Sequence, residues 1–256
     1  MKTFFVFVKK ECMELLRTGK LTVLLIIFIL FGIMNPAIAK LTPWLMEAMA
    51  DTLAESGMLV SGITVDAMSS WTQFYKNIPM ALAIFIFITG NAFIKEYQSG
   101  TLVQMLTGGL TRGKVFASKT LVISCMWSVC YWLCFFITYA YNAYFWDNGA
   151  ALNLFFSAFC FYLFGLLIVS LTVLMSVCFS SAGAVFAGTG GIVVCVYFLN
   201  TVPVIARYLP ARLTDSMKLL TGALYAYDCY TAVGIAAVLI ILVLAVAFKL
   251  FKLKKL

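Results

Sequence analysis

Histidine is absent from the 256 residues, charged residues make up only 11%, and proline occurs five times. Without histidine there is no Ser-His-Asp or Cys-His catalysis, no His-ligated metal or haem, and no histidine proton relay. The scarcity of charge excludes an ordinary soluble domain, which carries about 25% charged and about 45–50% apolar residues. Here 64% of residues are hydrophobic and the mean hydropathy is +1.03. Charge is also missing from the middle of every long apolar run. Intramembrane ionisable residues mark proton relays and voltage sensors, so their absence counts against a proton-coupled antiporter or a voltage-gated channel.

What is present is a series of charge-free runs. They cover 21–39, 78–94, 120–146, 148–206 and 229–248. A helix crosses the hydrocarbon core with about 20 apolar residues. The run 148–206 would reach roughly 90 Å as one helix, so it divides, and Ser180-Ser181-Ala182-Gly183 is its most turn-like patch. The expected spans are therefore 21–39, 78–94, 120–142, 153–178, 184–206 and 229–248. The fold class is all-α: a polytopic membrane protein with six transmembrane helices, organised as a single domain over 1–256.

The charges orient it. Lys2, Lys9, Lys10, Arg17 and Lys20 precede the first span, Lys95, Arg112, Lys114 and Lys119 lie between the second and third, and Lys249, Lys252, Lys254 and Lys255 follow the sixth. Only Glu11, Glu14 and Glu96 accompany them. The opposite face holds Lys40, Lys76, Arg207, Arg212 and Lys218 against seven acids. The positive-inside rule then places both termini and the 95–119 loop in the cytoplasm of a multi-pass cell-membrane protein. The net charge of +8 is an orientation signal and no nucleic-acid partner is expected. Residues 1–39 mimic a secretory signal, but the apolar run is span-length, so an uncleaved first span is expected. The eight cysteines form no CxxC pair and read as small packing residues rather than a disulfide frame or metal site.

Residues 1–20 read as an amphipathic helix lying in the interface. Phe4, Val8, Cys12, Leu15 and Leu16 form one stripe. Lys9, Lys10 and Arg17, with Lys2 and Glu14, form a wetter face suited to anionic headgroups of the lipid bilayer. Gly19-Lys20 favours a bend before the first span. On the outer side, Thr42-Pro43 predicts a helix start, with Glu47, Asp51 and Glu55 on one solvated face. A second helix from Thr64 carries Met68, Trp71, Phe74 and Tyr75, so 40–77 is expected to be an external helical hairpin. Another short interfacial helix is expected within 207–228. Trp44, Trp71, Tyr139, Tyr141, Tyr144, Trp146, Tyr208, Tyr225 and Tyr227 fit an outer aromatic belt.

The loop 95–119 contains Gly108-xxxx-Gly113-Lys114, the opening of a phosphate-binding loop. Val115 then stands where Ser or Thr must bind magnesium, and no strand precedes it, so nucleotide binding by this chain is rejected. In the same loop Glu96-x-x-x-Gly100-Thr101-Leu102, Arg112 and then Lys119 opening a span resemble the first cytoplasmic loop of type-2 ABC transporter permeases. Asn35-Pro36 and Thr42-Pro43-Trp44 resemble one branch of that family. The sequence departs from the pattern at Gly109-Leu110-Thr111, which replaces a Pro-containing step before Arg112.

The resemblance implies the membrane subunit of an ATP-driven exporter, encoded separately from its ATPase. Two copies, most simply a homodimer, would form the pathway. The chain itself would be no enzyme and bind no cofactor or metal; ATP and Mg would sit on the partner ATPase. The loop would form a coupling helix seated in that ATPase. Leu102, Met105, Leu106 and Leu110 would supply an apolar ridge, Glu96 and Arg112 charged contacts, Gly108 and Gly109 a close backbone turn, and Gly100 and Thr101 the motif itself. Gly183, Ala184, Ala187, Gly188 and Gly191 repeat at helical spacing and suit either a packing contact or the dimer seam. A standalone secondary transporter or channel is the alternative. An integral membrane enzyme has the fewest candidates for acid–base chemistry.

Overall fold

The computed structural model describes residues 2–49, 65–98, 111–202 and 206–254. All regular structure among them is helical. Helix α1 is Lys2–Arg17, α2 Lys20–Ala48, α3 Ala67–Thr89, α4 Ile94–Gln98, α5 Arg112–Phe145, α6 Leu154–Cys178, α7 Ala182–Leu199, α8 Ser216–Leu220 and α9 Tyr230–Leu253. Six stretches are long and apolar enough to cross a membrane: α2, 67–96, α5, α6, α7 and 226–253. The chain is an all-α polytopic membrane protein.

Local sequence accounts for the boundaries. Gly19 sits at φ +70 with open space where a Cβ would point, so the chain turns sharply from α1 into α2. Asp66 caps α3, its side chain accepting from the Ser69 amide at 2.9 Å. Ser181 does the same for α7 through the Ala184 amide.

Two outer features differ from the sequence reading. Thr42-Pro43 starts no helix; α2 continues through Pro36 and Pro43 to Ala48. Proline removes one backbone donor, and in an apolar surrounding the freed carbonyl must find another partner. Pro36 frees the Gly32 carbonyl, which instead accepts the Thr138 hydroxyl of α5 at 3.0 Å. Asn35 lies beside this bond, donating to Thr138 at 3.4 Å and accepting from Asn77 at 2.9 Å. Likewise the aromatic residues Trp71, Phe74 and Tyr75 belong to α3, one unbroken helix with the second span. The arms of the expected hairpin are outer extensions of α2 and α3, and its turn, with Asp51 and Glu55, lies outside the described residues.

Trp71 is not part of a surface belt. It is 0% exposed and its indole N–H donates to Asn148 Oδ1 at 3.1 Å. Trp44, Tyr144, Tyr208, Tyr225 and Tyr227 are exposed.

The core is aromatic. Phe28, Phe85 and Trp127 meet edge-on, and Trp71, Phe74, Tyr131 and Phe135 continue the stack outward. Such pairs add about 0.5–1.5 kcal/mol each beyond area burial. Gly165 of α6 makes room for Trp127, since a Cβ there would lie 2.1 Å from the indole Cζ2. The expected interfacial helix in 207–228 is shorter and deeper than read from sequence. It comprises a 3₁₀ turn over Pro210–Thr214, then α8, with Leu213, Leu219 and Leu220 fully buried. Helices α7 and α9 are the least buried spans.

Candidate functional site

Five segments converge at the basic end of the bundle: α1, α4, the start of α5, the α6–α7 turn and the end of α9. Lys119 of α5 is the centre. Its side chain is 5% exposed, and its ammonium lies 2.7 Å from Glu11 Oε2 and 2.8 Å from Glu96 Oε1. Lys10 lies 2.9 Å from Glu11 and 3.0 Å from Glu14. Lys95 completes the group, 3.3 Å from Glu14. Lys119, Glu11 and Glu96 are the buried members of this group, whereas Lys10, Glu14 and Lys95 are partly open to solvent; direct pairing with Lys119 is the condition for holding the two buried carboxylates charged.

Burial alone would push the Glu14 carboxyl up, but the ammoniums of Lys10 and Lys95 outweigh it and hold it below its ordinary range. Burial would depress the Lys10 ammonium, but Glu11 and Glu14 outweigh it and raise it. One oxygen of Glu96, Oε2, is buried without a hydrogen-bond partner among the described residues.

The other tethers are hydrogen bonds to backbone. Arg112 Nη1 donates to the carbonyls of Lys252 and Lys254 at 2.9 and 2.8 Å, where a cation complements the helix C-terminus. Lys254 Nζ donates to the Val177 carbonyl at 2.7 Å, and Gln98 Nε2 to the Ser180 carbonyl at 3.1 Å. Both flanks of the 95–119 loop are therefore anchored to the rest of this end.

Glu96 and Arg112, read from sequence as charged contacts for a partner, are turned into the chain itself. Gly100, Thr101, Leu102, Met105, Leu106, Gly108, Gly109 and Leu110 lie outside the described residues. Lys9 and Arg17 are exposed, whereas Lys10 turns inward to the ion cluster. The buried face of α1 is Phe7 and Glu11, not the Val8–Cys12 stripe. Sequence reasoning missed Glu11 because a helical wheel sends charge to water. The available signal was a set of three acids among thirteen cations, each worth asking what it neutralises.

The small-residue repeat of α7 divides in two. Gly188 faces inward, where a Cβ would meet Phe179 at 3.1 Å and Met175 at 3.2 Å. Gly183, Ala187 and Gly191 are exposed, and nothing lies within 4 Å of a Cβ at Gly183 or Gly191; Ala184 is half-buried between the two faces. Beside this helix, α3, α6 and α7 border an open pocket of about 230 Å³, lined by Pro79, Ile86, Phe161, Phe164, Thr189 and Tyr197 among others. The Thr189 hydroxyl is buried with no partner among the described residues.

Six crossings, a basic end stitched around one inter-span loop, and an open small-residue helix define a multi-pass membrane subunit built around that loop. The chain belongs to the ABC-2 family transporter proteins, whose family model matches residues 5–256. It is a permease component, and the family implies an ABC ATPase as partner. No curated protein matches the chain.

Proposed function

We propose that the chain forms the translocation pathway of an ATP-driven exporter, pairs with a second copy of itself, and is driven by a separate ATPase subunit. The ATPase binds ATP and Mg and docks on the 95–119 loop. The observation that carries this reading is the ion cluster, which fastens both flanks of that loop to α1 and the α5 start. A loop that only linked two spans would need no buried charge at its edges. A loop that receives force from a partner gains from rigid flanks, because the displacement then reaches the spans instead of being absorbed locally. The basic end is the cytoplasmic one by its charge. The pocket between α3, α6 and α7 and the open glycine face of α7 supply the pathway side and the seam with the second copy.

The test is coexpression with the ATPase subunit. The chain is expected to copurify with it, and a chain whose 100–112 segment is replaced by a Gly-Ser linker of equal length is expected to insert normally but lose the partner. Lys119→Met is expected to keep the partner while cutting the permease-dependent change in ATP hydrolysis at least about tenfold, since breaking a buried pair costs about 3–5 kcal/mol. Gradient-driven flux through the isolated chain in vesicles, without ATP, would overturn the reading in favour of a standalone transporter.

A further inference from the structure

The end of the bundle opposite the ion cluster brings two thiols together. Cys160 lies on α6, and Cys229 closes the 3₁₀ turn Ala226–Cys229 that leads into α9. Neighbouring contacts fix these elements against each other. Phe156, one turn before Cys160, meets Tyr230 edge-on at 5.7 Å, and Ser157 donates to the Ser216 carbonyl at 3.3 Å. Both cysteines are free and 0% exposed, and their sulfurs lie within hydrogen-bond reach of each other.

Packing accounts for one buried cysteine, but two side by side with a cation ask for more. The Arg212 guanidinium reaches the Cys229 sulfur. Its Nε is buried without a hydrogen-bond partner among the described residues, so part of its donor capacity is unspent. Thiol–disulfide exchange runs through a thiolate, and a neighbouring guanidinium is the partner that form needs. The charge asymmetry of the chain makes this the outer end, where disulfides persist.

We infer that Cys160 and Cys229 form a redox-active dithiol, which a small external disulfide closes to an intrachain disulfide. Cys229, with Arg212 beside it, is the attacking sulfur. Its thiolate attacks one sulfur of the external disulfide, breaks that S–S bond, releases one thiolate and leaves a mixed disulfide. The Cys160 sulfur gives up its proton and attacks the Cys229 sulfur, forming the Cys160–Cys229 bond and releasing the second thiolate. The two protein thiols lose two electrons and two protons; the external disulfide gains both and leaves as two thiols. The reagent enters by local opening of the Ala226–Cys229 turn, a surface segment flanked by exposed Tyr225 and Tyr230. The closed form pins the entrance of α9, one of the two least buried spans, to α6, the most buried. The inference rests on these three side chains and stands whether or not the ATPase docks on the 95–119 loop.

The experiment takes the full chain, purified in detergent under reductant, and incubates it with oxidised glutathione. Free thiols are then alkylated after acid denaturation, and the digest is read by mass spectrometry with and without reductant. In the wild type, Cys160 and Cys229 are expected to leave the alkylated pool together and return as one linked pair of peptides that reductant separates. Cys160→Ala is expected to stall with glutathione on Cys229, whereas Cys229→Ala takes none on Cys160. Arg212→Gln is expected to slow closure at least about fivefold. Oxidation is expected to raise the melting temperature of the wild type and to leave that of Cys160→Ala unchanged. Full alkylation of both cysteines in the oxidised wild type overturns the inference, as does a link from either one to a different cysteine. Equal glutathione on Cys160 in Cys229→Ala, or closure of Arg212→Gln at the wild-type rate, overturns the assignment of Cys229 as the attacking sulfur.

Discussion

Single carbonyls and single methyl groups decide much of this structure. The Gly32 carbonyl is orphaned by Pro36 in the middle of a membrane helix, and one hydroxyl, Thr138, repairs it across the α2–α5 interface. The same interface is close because Gly32 has no side chain: a Cβ there would lie 3.0 Å from Ile137 Cβ and 3.1 Å from the Cys134 carbonyl. Gly165 is the sharper case. Its missing Cβ is the space the Trp127 indole occupies, and that ring is 0% exposed and donates its N–H to the Tyr162 carbonyl at 3.2 Å. A rigid ring with a fixed hydrogen bond has nowhere to go. Gly165→Ala is therefore expected to destabilise the purified chain by about 1–3 kcal/mol, the usual overpacking cost, read as a lowered melting temperature in detergent. An equally buried Ala158→Gly change, which removes a methyl without displacing a ring, is the control.

At the scale of elements, α1 is the piece whose placement depends on charge. Glu14 has a folded-state value below the ordinary 4.5, so its contribution to docking is present above that value and is lost as pH falls through the lowered one. Lys10 is raised above 10.5, so its contribution is present below that value and is lost as pH rises through the raised one. Between about pH 5 and pH 10 neither Glu14 nor Lys10 is expected to change its charge, so neither loosens α1 there. A spin label at position 13, in a chain with its native cysteines replaced, would report loosening as mobility; a transition near neutral pH that persists in Glu14→Gln would show that Glu14 does not control the docking of α1. The six spans were legible in the sequence because long apolar runs are a strong, local signal, and the turn at 180–183 because Ser-Ser-Ala-Gly punctuates one. The continuation of α2 past Thr42-Pro43 was not, because the compensating hydroxyl for its other proline sits on another helix, at Thr138. The burial of Glu11 was not, because its partner lies 108 residues away. For the loop itself, Glu96 and Arg112 were found by motif, but which way their side chains turn is a tertiary fact.

At the scale of the whole molecule, α7 and α9 are the two spans least buried within one chain. On α7 the exposed residues are small at Gly183, Ala187 and Gly191, which lets another helix approach closely. If these glycines form the seam between two copies, Gly183→Leu with Gly191→Leu is expected to shift the detergent-solubilised protein from dimer to monomer in light scattering, without lowering its melting temperature. Gly188→Leu is expected to do the reverse, because its neighbours Phe179 and Met175 belong to the same chain. The ion cluster has a further consequence, in time rather than space. Glu11 emerges during synthesis 108 residues before Lys119. At roughly 5–20 residues per second, that leaves α1 waiting about 5–20 s with only its neighbour Lys10 to pair with that acid. Lys95 arrives earlier and can already reach Glu14 at the solvent side. The buried pair closes only once Lys119 has been made, so a chain truncated between residues 95 and 119 keeps the exposed contact of α1 and lacks the buried one.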